Sequence, residues 1–548
     1  MNYKDLADAI FPDITKTIED YELEYPERPE GLVVTRFAPS PTGFMHIGNF
    51  YQVVVNYVIA KRSNGVFYLR NEDTDQEREI PGAVEYIRHV LDHYDLNPDE
   101  YEIKNGETKG NYGPYIQSER KDIYKCFIKH LISEGMAYPC FMTQEEMDVI
   151  RDNQAKAKAR IGIYGKFAKY RNYPIEDAIK RVKSGEQFTI RFKSTESFNS
   201  TFLFNDLAFG ENKLHEDDID TIIYKSSTEL PTYHFAHLVD DHLMRTTHVV
   251  RGQEWYSSVP IHFKLFRAFN FKMPKYVHTP LILKKDGDVI RKISKRLDPE
   301  ARMTYYEEKG YPAYAVIESI MTIANSNYEA WREGHPDALF TDFEFSAKKM
   351  SPSGALYDLD KLDNISKNYI SRLTKDEVFN NLDEWSKEYD QEFNNIINKD
   401  VNYTKAILNI EREQKKPRKD FAKWEDVKPA IWYMFNELCD NTELSYEWGK
   451  INNSDDIKEI LNTYINDYYD ISDDKDTWFN KVKELTEKLG YTSDMKAYKE
   501  NPDNFKGSVA DVSTVIRVAV TTKSMTPDLY EILRLLGKDE ILRRINKV

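Results

Sequence analysis

The chain has 548 residues, 41% of them hydrophobic and 31% charged, with a net charge of -16. No run of about 18 apolar residues occurs, so the sequence reads as neither membrane-spanning nor disordered, and its length allows three or four domains. Its three cysteines, Cys126, Cys140 and Cys439, form no C-x-x-C pair. Neither a disulfide framework nor a zinc site is therefore expected, and a reducing, cytoplasmic location is. The acidic N-terminus lacks an apolar stretch of the signal-peptide kind.

In chain order, "LVVTRF" (32–37) reads as a buried strand. "HIGNFYQVVVNYVIAKRSNG" follows with apolar residues at helical spacing and Gly65 as a stop, and "VFYLR" (66–70) is a second strand. Strand, helix and strand at that spacing make a βαβ unit, with its ligand expected at the carboxyl ends of parallel strands. Helical patterns run from "EDTD" (72–75) to about 110, and a mixed α/β stretch reaches about 220. Strand-like "TIIYKS" and "THVVRG" then bracket the helical "TYHFAHLVDDHL". "PKYVHTPLILKKDGDVIRKISKR" is read as a strand, a turn at Asp286-Gly287 and a lysine-rich loop. From about 303 the period is helical to the end. An N-terminal α/β half precedes an all-helical half.

Two stretches carry chemistry. In "PTGFMHIGN", Gly43 and Gly48 let a base or phosphate approach the backbone, and His46 stands at a helix start that favours negative charge. The plain alternative is a loop histidine before an ordinary helix. "RKISKR" (291–296) packs four cations into six residues. Lysines on such a loop can follow the charge that builds on departing pyrophosphate. Read alone, the loop is solvent-facing; paired with the H-x-G turn on one parallel sheet, it fits a site that splits ATP.

"HIGN" and "KISKR" resemble the HIGH and KMSKS signatures of class I aminoacyl-tRNA synthetases. With "RFAPSPTGFMHIG", "LRNEDTD", "GPYIQSER" and "LPTYHFAHLVDDHLMRTTHVVRGQEW", the chain is similar to bacterial-type glutamyl-tRNA synthetases over about 30–548. That resemblance implies a multidomain α/β protein. A Rossmann-like catalytic domain (31–110 and 221–302) would carry an inserted α/β acceptor-binding domain (111–220). A stem-contact segment (303–375) and an all-α anticodon-binding region (376–548) would follow, with residues 1–30 an extension outside the family pattern.

The resemblance implies that Arg36 and Arg251 face the side-chain carboxylate of L-glutamate, that Glu72 receives its ammonium group, and that Ser40, Tyr233 and His237 also touch it. The physics agrees for Arg251, since a guanidinium fork pairs with a carboxylate whereas a glutamine amide offers N–H donors to a group that only donates. The alternative for Arg251 is a structural salt bridge. Gly43, His46, Gly48, Trp255, the backbone around Leu283, Lys292 and Lys295 would bind ATP with Mg²⁺, and His46, Lys292 and Lys295 would act in catalysis. Partners implied are tRNA-Glu, with tRNA-Gln an open alternative, and the protein is expected to be a monomer away from membranes.

Three positions depart from the family pattern. Asn49 ends the HIGH-like motif, His237 replaces an asparagine, and Cys140 stands alone where some relatives bind zinc. The basic run 412–423 is an expected phosphate contact, and Trp424, Trp432 and Tyr433 are expected in the core. Rival readings are a glutaminyl-tRNA synthetase, a small nucleotidylyltransferase, and a tRNA-binding paralogue without activity.

Overall fold

A computed structural model describes all residues except 105, 441 and 442. It divides into two compact units, one of residues 1–305 with 317–358, the other of residues 306–316 with 359–548.

The first unit opens with helices α1 (Tyr3–Ile10) and α2 (Ile18–Glu24), each started by a reciprocal cap, Asn2 with Asp5 and Thr17 with Asp20. The βαβ unit comprises β1 (Val34–Phe37), α3 (Ile47–Lys61) and β2 (Val66–Leu69), with the strands parallel and Arg36 opposite Tyr68. Val53, Val54, Val55 and Val58 of α3 are fully buried. Each such side chain stabilises the unit by about 1.5–3 kcal/mol. Gly65 is needed after α3 because a Cβ there would lie 2.2 Å from the Val33 carbonyl oxygen.

Helix α4 (Ala83–His93) and the hairpin β3 (Tyr101–Lys104) and β4 (Glu107–Lys109) lead to α5 (Lys121–Ser133) and β5 (Ala137–Cys140). Next come α6 (Gln144–Lys156), α7 (Ile175–Lys183), β6 (Thr189–Phe192) and a second hairpin, β7 (Thr201–Asp206) and β8 (Gly210–His215). The unit continues through β9 (Ile222–Lys225), β10 (Leu230–Pro231), α8 (Tyr233–Leu243) and β11 (His248–Gly252). It then adds α9 (Val259–Ala268), β12 (Lys275–Thr279), the hairpin β13 (Ile282–Asp286) and β14 (Val289–Lys292), and β15 (Ala355–Leu356).

The expected single parallel sheet is divided. β1 pairs with β2 and β11 with β12, both parallel, while the Thr247 hydroxyl and backbone N–H bond Val34 at 2.7 and 3.0 Å in place of a ladder between β1 and β11. The hairpin β7–β8 lies within the stretch read as an inserted domain, yet it extends the β11–β12 sheet through Asp206 opposite Tyr276. β5, β6, β9 and β10 form a separate antiparallel sheet that runs past residue 220.

The second unit is helical, and Trp424 and Tyr433 are buried in its core with Phe393 and Leu382 while Trp432 packs against it. The C-terminal stretch is not one helix: within Leu529–Ile545, Gly537 adopts φ 77° and breaks it, a conformation open to glycine because it lacks a Cβ. The basic run 412–423 is partly structural. Arg412 is buried and donates to the carbonyls of Leu408 and Ile370, and Arg418 pairs with Asp420 and Glu411. Lys415, Lys416 and Lys419 stay exposed. Among the described residues, no helix is long and apolar enough to cross a membrane.

Candidate active site

Two adjoining cavities open at the carboxyl ends of β1 and β11. One, about 280 Å³, is lined by the apolar Ile47, Leu281, Ile282, Ile293 and Ala301 with His46, Gly48, Lys292 and Lys295. The other, about 300 Å³, is lined by Arg36, Ser40, Gly43, Glu72, Tyr233, Arg251 and Trp255. His46, Gln52, Glu254 and Lys295 border both.

His46 is the N-cap of α3. Its Nδ1 accepts the Asn49 N–H at 3.2 Å, and the Asn49 side chain takes the His46 N–H at 3.4 Å. The departure at position 49 thus supplies the return half of a capping box. Burial, with Lys295 and Lys292 nearby, lowers the His46 pKa to about 4. A neutral imidazole whose Nδ1 accepts carries its proton on Nε2, free to donate to an anion. Gly48 makes this placement possible, because a Cβ there would come within 2.8 Å of the His46 ring.

The lysine loop is tied down by its arginine. Arg291 donates twice to Asp298, at 2.7 and 2.8 Å, and Asp298 also takes the Ser294 N–H at 2.8 Å. These bonds, the arginine pair first, hold the Asp298 pKa well below the usual carboxylate range. Among the described residues Lys292 and Lys295 have no carboxylate partner. Lys295 Nζ instead reaches the Phe44 carbonyl at 2.9 Å across the opening, and burial lowers its pKa.

In the second cavity the two arginines differ. Arg36 is 4% exposed, and its Nε lies 3.3 Å from Asp241 while Nη1 donates to the Val250 carbonyl. Arg70 shares Asp241 at 2.8 Å and fixes Glu72 at 2.8 Å. Burial raises the Glu72 pKa against the pull of Arg70 and Arg36. Arg251 is equally buried, yet every acceptor around it is neutral: His278 Nε2 at 2.9 Å, His262 Nδ1 at 3.1 Å and the Trp255 carbonyl at 3.3 Å. His278 passes its other N–H to Asp206 at 2.6 Å, and burial keeps both imidazoles uncharged by pulling their pKa values down. A structural salt bridge for Arg251 is absent among the described residues. Its charge faces the cavity unneutralised, and a buried guanidinium calls for an anion.

The expected contact of His237 lies elsewhere. It is fully buried behind Tyr233, its ring parallel to the tyrosine at 5.7 Å, with Nε2 3.1 Å from the Tyr276 hydroxyl. Its Nδ1 sits 2.7 Å from Asp241 Oδ2, so it backs the pocket and does not line it. Burial lowers its pKa to about 4. The Leu283 side chain packs where a Cβ on Gly354 would lie, while its chain neighbours Leu281 and Ile282 line the apolar cavity. Gly43 and Trp255 border the second cavity, and Trp255 rests on Tyr233 at 4.3 Å. Sequence reading missed Gln52 and Glu254. Gln52 was within reach, since His46, Asn49 and Gln52 stand three apart and share a helix face. Glu254 folds over Gly252, where a Cβ would lie 2.2 Å from its carboxylate.

Residues 32–348 match the family described as tRNA synthetases class I (E and Q), catalytic domain, and residues 416–548 match the anticodon binding domain family. The chain belongs to the class I tRNA synthetases of the E and Q group. A glutamate–tRNA ligase of Clostridium perfringens is 45% identical over 100% of this chain and 99% of its own length. One from Acetivibrio thermocellus is 44% identical over the whole of both chains. The solved glutamate-tRNA synthetase of Elizabethkingia anophelis superposes with a TM-score of 0.73 at 25% identity, covering 94% of this chain and 99% of that one. As a class I synthetase the chain uses ATP as a substrate.

Proposed function

We propose that this enzyme joins L-glutamate to the 3′-terminal adenosine of tRNA-Glu in two steps. The observation that carries the reading is Arg251, a buried cation held only by neutral acceptors in a cavity of amino-acid size. A glutamate side-chain carboxylate supplies the missing charge with Arg251 and Arg36 as its clamp, while Glu72 takes the ammonium group and Ser40 and Tyr233 close the sides. The adenine lies among Ile47, Leu281, Ile282 and Ile293, with the phosphates towards His46, Lys292 and Lys295. The α-carboxylate attacks the α-phosphorus in line, His46 Nε2–H and the two lysines receive the charge that grows on pyrophosphate, and a ribose hydroxyl of the tRNA then displaces AMP. Positioning and electrostatics carry the rate.

Among the described residues no cluster of three or more His, Cys, Asp or Glu side chains could hold a metal ion. Mg²⁺ enters as part of the nucleotide substrate, held through the phosphates, the usual arrangement for this cation. The helical region from 376 serves the anticodon end of the tRNA and residues 303–375 its stem. A cavity of about 640 Å³ in the second unit supports this, lined by Trp478, Phe479, Tyr530 and Arg517. Arg517 Nε is buried without a partner there, and aromatic rings with a guanidinium suit unstacked bases. Residues of one chain line both cavities, which suits a monomer, and three free buried thiols suit the cytoplasm.

The test is charging of purified tRNA-Glu and tRNA-Gln with labelled glutamate or glutamine. Glutamate on tRNA-Glu is the expected product, and glutamate on tRNA-Gln as well would mark a non-discriminating enzyme. Glutamine as the better substrate, or no charging by folded protein, would overturn the reading.

A further inference from the structure

Residues 1–30 precede the family-model match at 32–348 but fall within the full-length match to the clostridial relatives, which corrects their reading as an extension outside the family. They are built into the rear of the glutamate pocket. Leu6, Ala7, Phe11, Tyr21 and Tyr25 are at most 5% exposed and share one core with Phe235, Leu238 and Leu243 of α8. Lys129 of α5 ties the segment down by donating to the carbonyls of Phe11 and Ile14 at 3.0 and 2.9 Å.

Helix α8 joins this segment to the chemistry. Its first residue, Tyr233, lines the pocket; near its end Asp241 holds Arg36 and Arg70, and Asp240 holds Arg120 at 2.7 Å. The residues just after Asp241 are gripped from the N-terminus. Glu22 accepts from His242, and from Arg245 at 2.6 Å. The Tyr25 carbonyl takes the same Arg245 at 2.6 and 3.1 Å, and Arg28 Nε donates to the Met244 carbonyl at 3.2 Å. Arg28 is itself fixed by a double bond-pair to Glu100, both at 2.8 Å. The Tyr25 hydroxyl accepts from Arg120 at 3.1 Å and donates to the Gly113 carbonyl at 2.8 Å. Arg245 adopts φ 58°, a left-handed conformation costly for a residue with a Cβ, which persists when surrounding contacts over-determine it.

We propose that residues 22–28 are a clamp that positions the end of α8, and through Asp241 the Arg36 fork, so that the N-terminal segment sets affinity for the amino acid without touching it. Glu22 is the central positioning residue, because it binds the side chains of His242 and Arg245, one and four residues beyond Asp241. The proposal rests on the reading that this pocket takes glutamate. Burial pushes the Glu22 pKa up, and the bonds from His242 and Arg245 pull it below its ordinary value overall, consistent with a charged acceptor.

The experiment is steady-state charging by full-length Glu22→Ala, Glu22→Gln and Tyr25→Phe. Glu22→Ala should raise the glutamate KM by roughly three- to thirty-fold, the range for residues that act through a coupled element, with the KM for ATP and tRNA unchanged. Glu22→Gln keeps an acceptor for Arg245 and should restore part of the loss; Tyr25→Phe should shift the same constant in the same direction. If Glu22→Ala does not fold, the two milder variants decide by the same criterion. A wild-type glutamate KM in the variants, or parallel rises for all three substrates, overturns the clamp. Wild-type protein that fails to charge glutamate overturns the functional reading and the clamp with it.

Discussion

The two cavities share His46, Gln52, Glu254 and Lys295 but are made in opposite ways. Behind the carboxylate pocket Arg36, Arg70 and Arg251 are buried and hydrogen-bonded to fixed groups: Arg36 to Asp241, Arg70 to Asp241 and Glu72, Arg251 to His262 and His278. The phosphate side relies on an exposed loop in which Arg291, through Asp298, fixes the backbone and leaves Lys292 and Lys295 free of carboxylates. The difference follows the chemistry. Selecting one amino acid requires a charge fixed in place before the ligand arrives, so that a wrong side chain leaves a buried group unpaired. Stabilising pyrophosphate requires charges that move with the leaving group, and long lysine stems on a tethered loop provide them.

Lys295→Ala should cost the most on the phosphate side, about 10²- to 10³-fold in adenylate formation, as for other single groups that stabilise transition-state charge, with tRNA affinity nearly unchanged. Pre-steady-state pyrophosphate release measures it, and unchanged activation would remove Lys295 from the mechanism. The rigid pocket should show itself in pH dependence. His46, His234 and His237 are each lowered by burial to about 4. Between pH 6.5 and 4 the unfolded chain therefore binds protons that the folded chain does not, and stability falls as pH falls through that window. At pH 5.5 the loss is about 1.4 kcal/mol per histidine; denaturation midpoints that stay level from pH 7.5 to 5.5 would contradict the neutral assignment. Asp298→Asn should have the smallest effect, loosening the loop and raising the KM for ATP by about tenfold, the low end of the roughly 1.5–3 kcal/mol that charge-assisted bonds contribute, since the lysines themselves remain. An effect on the glutamate KM instead would mean that the two cavities are not separately built.

The sequence made the local patterns of the site more legible than the contacts between distant elements. The β1–α3–β2 unit, the His46 cap position and the lysine loop are local patterns, each set within a few residues. What fixes Arg251 is not local: His262 and His278 come from α9 and β12, and neither carries a spacing signal that joins it to Arg251. His237 illustrates the limit, since its position on α8 identifies the helix face but not that Tyr233 stands between it and the cavity. The N-terminal segment carries none of the family's motifs and so reads as an extension, yet relatives match it along its length, and only packing reveals Leu6, Phe11 and Tyr25 as core. In the second unit, Arg412 and Arg418 looked like phosphate contacts until their carbonyl and carboxylate partners appeared.

The most direct test of the carboxylate pocket is the ratio of kcat/KM for glutamate and glutamine in wild-type and Arg251→Gln enzymes. Truncating one partner of a buried ion pair costs about 3–5 kcal/mol, so glutamate use should fall by roughly 10²- to 10⁴-fold while glutamine use changes far less. A variant that still prefers glutamate by the wild-type margin would mean that Arg251 holds the fold and that selection lies elsewhere.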